Sequence, residues 1–255
     1  MIAIRDLQGA FGPRVVAHIP ELEIGRGEIV GLAGESGSGK SMTALAILGL
    51  ARFAGAHVTG SIALEGRELL ALGDRQLRHV RGRRIAMIMQ SPRAALNPTL
   101  RLGQLFERTL LLHGVARSEL HARTVDGMQS VLLDPALLER YPHQISGGQA
   151  QRFGIALALA LHADVLLADE PTSALDVTVQ AEVVALLRRV RDERGTAMLF
   201  ISHDLAVIGQ LADRVVIMRR GEVVEVGGAR QVLVSPSAEY TRELIAAVPR
   251  IRPPA

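Results

Sequence analysis

Over the first ninety or so residues the apolar positions fall in short blocks, and further on they switch to helical spacing. Ile2 to Arg5, Val15 to Ile24, Ile29 to Ala33, His57 to Leu64 and Ile85 to Met89 are separated by glycine-containing turns such as Gly25-Arg26-Gly27-Glu28. These runs predict strands. From Pro92 to about Leu161, Leu100, Leu105, Leu110 and Leu111, then Val131, Leu132, Leu137 and Leu138, follow helical spacing broken at Pro135 and Pro142. That segment predicts an inserted helical subdomain. Val165 to Ala168 and Met198 to Ile201 are apolar without alternation, the pattern of strands buried on both faces. Between them Val179, Val183, Leu186, Leu187 and Val190 recur at helical spacing, which predicts a strand–helix–strand crossover in a parallel sheet.

Composition narrows the class. A chain of 255 residues with 48% hydrophobic and 22% charged residues fits one α/β domain with an insert and excludes disordered, collagen-like and coiled-coil classes. There is no cysteine, so a disulfide framework, a thiolate metal site and a cysteine nucleophile are out. The longest run without Asp, Glu, Lys or Arg is Phe53 to Leu64, twelve residues. A membrane span needs about 20 apolar residues, and the N-terminus has no signal-peptide pattern, so a cytosolic location is expected. The net charge is only +3, and there is no Trp, two Tyr and five Phe. A base-stacking surface would need aromatics among the basic residues, so no nucleic-acid partner is expected. Of the 29 basic residues one alone, Lys40, is lysine. Lysine is a compact point charge on a flexible stem and arginine a planar fork, so a lone lysine marks either chance or a site that needs the point charge.

The surroundings of Lys40 decide between these. Directly after the run Ile29 to Ala33 comes Gly34-Glu35-Ser36-Gly37-Ser38-Gly39-Lys40-Ser41, followed by the uncharged helical stretch Met42 to Leu50. This is G-x-x-x-x-G-K-[ST] between a strand and a helix. The glycines let backbone N–H groups turn in around phosphate oxygens, and the helix start adds partial positive charge. In that setting Lys40 reaches β- and γ-phosphates and the Ser41 hydroxyl is placed for Mg²⁺. Farther along, Ala168-Asp169-Glu170-Pro171 puts an acidic pair at a strand's C-terminal end, where parallel sheets bind ligands. Asp169 suits Mg²⁺ through water and Glu170 suits orientation or deprotonation of an attacking water; an acidic pair starting a helix is the plainer reading. Ile201-Ser202-His203-Asp204 brings His203 to another strand end, as a γ-phosphate contact or as a structural histidine.

Ser146-Gly147-Gly148-Gln149 opens an apolar helix and is a second place where helix N–H groups can meet an anion. One γ-phosphate does not need two such cradles from one chain. Here the sequence resembles the ATP-binding cassette (ABC) ATPases over nearly its whole length. The resemblance implies a P-loop NTPase α/β fold with a RecA-like parallel-sheet core, an N-terminal antiparallel β subdomain and an inserted helical subdomain, with residues 1–91 and 162–255 as core and 92–161 as the insert. It implies ATP and Mg²⁺ as cofactors. Gly34 to Ser41 would bind nucleotide, Ser41, Gln90 and Asp169 would serve Mg²⁺, and Glu170, His203 and Gln90 would be catalytic. Ser146 to Gln149 would be the signature that closes over ATP on a second cassette in a head-to-tail dimer, and Asp176, in Ser173-Ala174-Leu175-Asp176, the D-loop residue. Phe11, by its distance before Gly27-Glu28, would stack on adenine, with a core phenylalanine as the competing reading.

The segments Ile85 to Arg93 with Leu96-Asn97-Pro98, Tyr141-Pro142-His143-Gln144, and Ala168 to Gln180 are similar to the peptide and nickel importer branch. Peptide members usually carry a longer tail with a cysteine cluster, so the absence of cysteine tilts the expectation toward nickel or metallophore importers. The partners implied are a second ATPase subunit, identical or a paralogue, two transmembrane permease subunits and, indirectly, an extracytoplasmic solute-binding protein. The chain would then sit at the cytoplasmic face of the membrane. A non-transport ABC ATPase acting in chromosome maintenance or translation is the alternative, as is a regulatory module that binds ATP without turnover. The first is disfavoured by the single P-loop and single signature, the second by the presence of both Glu170 and His203.

Overall fold

The computed structural model describes residues 1–247. The Arg252-Pro253-Pro254-Ala255 tail, whose sequence predicts fraying, lies outside the described residues, as does the Val248-Pro249-Arg250 segment. The strands are β1 (Ile2–Phe11), β2 (Arg14–Ile24), β3 (Ile29–Gly34), β4 (His57–Leu64), β5 (Arg67–Glu68), β6 (Ile85–Ile88), β7 (Val165–Asp169), β8 (Ala197–Ile201), β9 (Arg214–Arg219) and β10 (Glu222–Gly228). The helices are α1 (Lys40–Ile47), α2 (Asp74–Val80), α3 (Pro92–Ala95), α4 (Leu102–Leu112), α5 (Leu120–Ser130), α6 (Gly147–Ala160), α7 (Val177–Arg194), α8 (Leu205–Leu211), α9 (Ala229–Val234) and α10 (Glu239–Ala246). Two compact units divide this chain: Met1–Leu70 together with the chain from Leu199 on, and Ala71–Met198.

In the first unit the strands run in the order β5-β4-β1-β2-β10-β9-β3. β1 pairs antiparallel with β2 and with β4, matching Ile2 to Ile24 on one side and to Leu64 on the other. Sequence pattern stops β1 at Arg5, yet the ladder continues to Phe11. Asp6 takes a φ of 45° and the pairing with β4 shifts between Arg5 and Gln8, so an irregularity interrupts the alternation without ending the strand. β9 and β10 form a hairpin outside the strand pattern read from sequence. Its turn has positive φ at Arg220 (49°) and Gly221 (91°), which suits the right-handed twist of the flanking strands. β3 is buried at every position and pairs parallel with β9, from Val30 opposite Arg214 to Gly34 opposite Met218. A side chain at Gly31 would come within 2.6 Å of Ile208 Cγ2, so helix α8 packs closely there because residue 31 has none.

The last helix of this unit, α10, is fastened electrostatically. The buried Glu225 carboxylate on β10 accepts the Ser237 amide (2.7 Å), the Ser237 hydroxyl (2.8 Å) and the Ala238 amide (3.2 Å) at the helix start. Burial would raise its pKa, but the neighbouring Thr241 hydroxyl and these donors outweigh it and bring the carboxyl from an ordinary 4.5 down to about 2.

In the second unit β6 and β7 pair in parallel from Ile85 opposite Val165 to Ile88 opposite Ala168. The expected crossover helix is α7, which buries Val183, Val184, Leu186, Leu187 and Val190 and ends on Gly195 in the left-handed conformation. The segment expected to be helical holds α3, α4, α5 and α6. Its core centres on Phe106 of α4 and Phe153 of α6, both fully buried, with rings edge to face at 5.8 Å. A side chain at Gly127 of α5 would lie 2.8 Å from Phe106 Cζ, so glycine lets α5 close on the ring.

Phe106→Ala removes the ring both neighbours pack on and is expected to destabilise the protein by about 3–5 kcal/mol in a urea titration. For Glu225 the depressed pKa sets the sign: its contribution is complete above the ordinary carboxylate range and is lost as the pH falls through about 2. The stability gap between the wild type and Glu225→Gln, followed by urea unfolding against pH, is therefore expected to stay level above roughly pH 5 and to close toward pH 2.

Candidate functional site

The loop between β3 and α1 turns on three glycines whose backbone angles side-chain-bearing residues adopt only with strain. Gly34, Gly37 and Gly39 have φ of 146°, 79° and 101°. A Cβ on Gly34 would lie 2.1 Å from the Met218 carbonyl oxygen, and one on Gly39 would lie 2.4 Å from the Val16 carbonyl oxygen. At Gly37 it would meet nothing within 4 Å, so that residue is needed for its backbone angle alone. β2 thus walls the loop at Val16, and the β9–β10 turn holds it from another side through the Gly221 amide, which donates to the Ser38 carbonyl at 3.2 Å.

Lys40 is only 6% exposed. Its ammonium donates to the carbonyls of Gly34 (2.8 Å) and Glu35 (2.7 Å) and to the Ser38 hydroxyl (3.3 Å). A buried ammonium must have such oxygens around it. All three belong to the loop, so the loop is curled around the cation, and phosphate oxygens can take the place of these acceptors. Ser38 is buried with Lys40, whereas Glu35, Ser36 and Ser41 are exposed. Phe11 ends β1, opposite Arg14 across the Gly12-Pro13 turn, and is 40% exposed. On the same hairpin Gly9 backs onto Met42 of α1, where a Cβ would lie 2.8 Å from Met42 Cγ. His203 is exposed in the turn after β8, and that turn is shaped by Asp204, which caps α8 by accepting the Ala206 and Val207 amides.

In the second unit Asp169 is the last residue of β7 and Glu170 follows it, 4% and 8% exposed. Glu170 has a φ of 51°, a left-handed angle that costs a residue with a Cβ about 1–2 kcal/mol. Glycine would avoid that strain, so the position keeps its carboxylate at the expense of backbone comfort. The turn is locked by Ser173, whose amide and hydroxyl donate to the Glu170 carbonyl at 3.3 and 3.1 Å. Gln90 is exposed just beyond β6, in the step to α3.

The Ser146 to Gln149 segment forms a reciprocal cap on α6. The Ser146 hydroxyl accepts the Gln149 amide at 3.2 Å, and the Gln149 side-chain oxygen accepts the Ser146 amide at 2.9 Å. This cap does not use the amides of Gly147 and Gly148, the donors of the helix's first turn. Gly148 faces the 173–176 turn, a Cβ there lying 3.4 Å from the Ala174 carbonyl oxygen, so the structure brings these two segments together. Asp176 caps α7 by accepting the Val179 amide at 3.0 Å.

Two further residues tie these segments and were not singled out from sequence. Gln151, buried on α6, donates to the Pro171 carbonyl at 3.0 Å and joins the capped helix to the turn after Glu170. Its signal was a glutamine inside an apolar helix. Arg93, just after Gln90, donates to the Pro142 carbonyl at 3.3 Å and to the Ile145 carbonyl, the residue before Ser146. An arginine on a four-residue helix carries no comparable signal.

Residues 18–173 match the family model described as ABC transporter. The chain is 44% identical over 263 residues to the peptidoglycan transport ATP-binding protein YejF of Agrobacterium fabrum, a match covering 100% of this chain and 48% of that protein. It is 43% identical over 239 residues to the glutathione import ATP-binding protein GsiA of Salmonella typhimurium, covering 90% of this chain and 38% of that protein. It thus spans less than half the length of either. With the probable peptide ABC transporter ATP-binding protein y4tR of Sinorhizobium fredii it shares 40% identity over 257 residues, covering 98% of this chain and 77% of that protein. Among solved structures, a dimeric ATP-binding cassette in a post-hydrolysis state with ADP and Pi matches with a TM-score of 0.81 at 27% identity, covering 90% of this chain and 99% of that chain. The α/β P-loop cassette fold expected from the sequence is the fold of that neighbour.

Gly39→Ala adds a Cβ 2.4 Å from the Val16 carbonyl at a φ of 101°, so the loop must move. Its affinity for a fluorescent ATP analogue is expected to fall at least about tenfold while circular dichroism stays unchanged, the scale of a 1–3 kcal/mol overpacking cost.

Proposed function

The chain belongs to the ABC transporter family, and from that premise we propose that it is the ATP-binding and ATP-hydrolysing subunit of a membrane importer. The observation that carries this reading is the glycine-built loop curled around buried Lys40, a ready cradle for nucleotide phosphates. On binding, the Lys40 ammonium leaves the Gly34 and Glu35 carbonyls for the β- and γ-phosphates. Gly34 to Ser41 wrap the phosphates with their amides, and Phe11 stacks on the adenine.

The donors proposed for Mg²⁺ fit that ion, which prefers hard oxygens: the hydroxyl of Ser41, the carboxylate of Asp169 and the amide oxygen of Gln90. When bound, Mg²⁺ offsets phosphate charge. Glu170 orients the attacking water and takes its proton, and its turn, locked by Ser173 and Gln151, fixes the carboxylate. His203 supports the γ-phosphate. Ser146, Gly147, Gly148 and Gln149 act in trans on the nucleotide of a second cassette, identical or a paralogue, with Asp176 at the dimer interface. On this reading residues 92–161 are the helical subdomain and residues 1–91 with 162–255 the catalytic core.

No helix among the described residues is long and apolar enough to cross a membrane. The membrane path is assigned to two permease subunits that hold this subunit at the cytoplasmic face, with a solute-binding protein delivering cargo. The relatives' names support transport over chromosome maintenance or translation, and peptide-like cargo over nickel or a metallophore.

Glu170→Gln tests the catalytic assignment. In the assembled transporter it is expected to keep ATP binding and to lose at least ~100-fold in phosphate release, the low end for removal of a general base. Retained hydrolysis would remove Glu170 from that role.

A further inference from the structure

Helix α10 reaches the nucleotide loop through one side chain. Tyr240 is 5% exposed in a chain that has only two tyrosines. Its hydroxyl accepts the backbone N–H of Glu35 at 3.3 Å, across 205 residues of sequence. Its ring lies under the Arg219 guanidinium, 4.4 Å from ring centre to charge, at the end of β9. Arg219 follows Met218, whose carbonyl oxygen crowds the α face of Gly34. Glu225 pins the first residues of α10 to β10 through Ser237 and Ala238, so the tyrosine is delivered from a fixed base. Burial raises the pKa of the phenol above the ordinary tyrosine range.

Glu35 is also where the loop's internal bonds converge. Its carbonyl accepts both the Lys40 ammonium (2.7 Å) and the Ser38 amide (3.1 Å). When Lys40 turns to a phosphate, residue 35 loses the stronger, charge-assisted of these bonds. The Tyr240 bond does not involve Lys40 and survives that exchange. We propose that Tyr240 is a positioning residue for the nucleotide loop, holding the Glu35 amide in its binding-competent place through the hydroxyl that α10 presents. The benefit is preorganisation: a loop already held loses less freedom when nucleotide binds. This inference rests on the reading of residues 34–41 as the nucleotide loop.

Tyr240→Phe keeps the ring on Arg219 and deletes only the hydroxyl. In the full-length chain, titrated with a fluorescent ATP analogue and Mg²⁺, its dissociation constant is expected to rise about three- to tenfold, the scale of one hydrogen bond. Hydrogen exchange at the Glu35 amide, measured without nucleotide, is expected to accelerate, with the melting temperature close to that of the wild type. Glu225→Gln, which loosens the base of α10, is expected to accelerate the same amide. Lys40→Ala serves as the control for the underlying reading. If Lys40→Ala loses affinity while Tyr240→Phe matches the wild type in affinity, or leaves Glu35 exchange unchanged, the positioning role is overturned and the nucleotide loop stands. If Lys40→Ala binds as tightly as the wild type, the loop assignment falls and the positioning role falls with it.

Discussion

A single buried ammonium sets the terms for the loop between β3 and α1. Lys40 cannot leave water without oxygen partners, and the partners it finds are carbonyls of the loop that precedes it. For those carbonyls to point at the ammonium the chain must curl through positive φ angles at Gly34, Gly37 and Gly39. The curled loop must then be walled by backbone rather than side chains, which is why Val16 of β2 and Met218 of β9 approach so closely that no Cβ fits. Strand order in this unit follows the same need. β9 beside β3 brings Met218 against Gly34, and the β9–β10 turn brings the Gly221 amide to the Ser38 carbonyl.

The second unit is organised by backbone groups at helix and strand ends. Ser146 and Gln149 satisfy each other's amides, so α6 starts sharply with two glycine residues at its first positions. The four residues proposed as the signature are therefore also a stability device, and a helix start with a closed cap can present its remaining amides without fraying. Glu170 shows the opposite trade. It sits in a left-handed conformation that a glycine would adopt without strain, and the turn is secured by Ser173 and Gln151.

Much of the candidate site's local geometry was legible in the chain itself because its motifs are contiguous. Gly34 to Ser41, Asp169-Glu170 and Ser146 to Gln149 are contiguous segments whose residue types are dictated by backbone geometry or by oxygen chemistry, and each lies at the end of a strand or the start of a helix. The helical segment around Phe106 and Phe153 was legible through its period. The β9–β10 hairpin carried a signal, Val215-Val216-Ile217-Met218 before Arg219-Arg220-Gly221-Glu222, that reads as a buried strand and tight turn once the pairing is known. The full length of β1 did not show, because Asp6 breaks the alternation while the ladder runs on.

By itself the sequence determined the cassette's class and its local motifs, since a glycine-rich loop before a lysine, an acidic strand end and a capped helix are specified by neighbours a few residues apart. What only the tertiary structure decided are the long-range ties: Arg93 to the carbonyls before Ser146, Gln151 to Pro171, and Tyr240 to the Glu35 amide. Each is a side chain donating to, or accepting from, a backbone group far along the chain. A backbone amide or carbonyl has the same chemistry at every residue, so nothing in the partner's identity announces the bond. Only the folded path of the chain brings the two ends within reach.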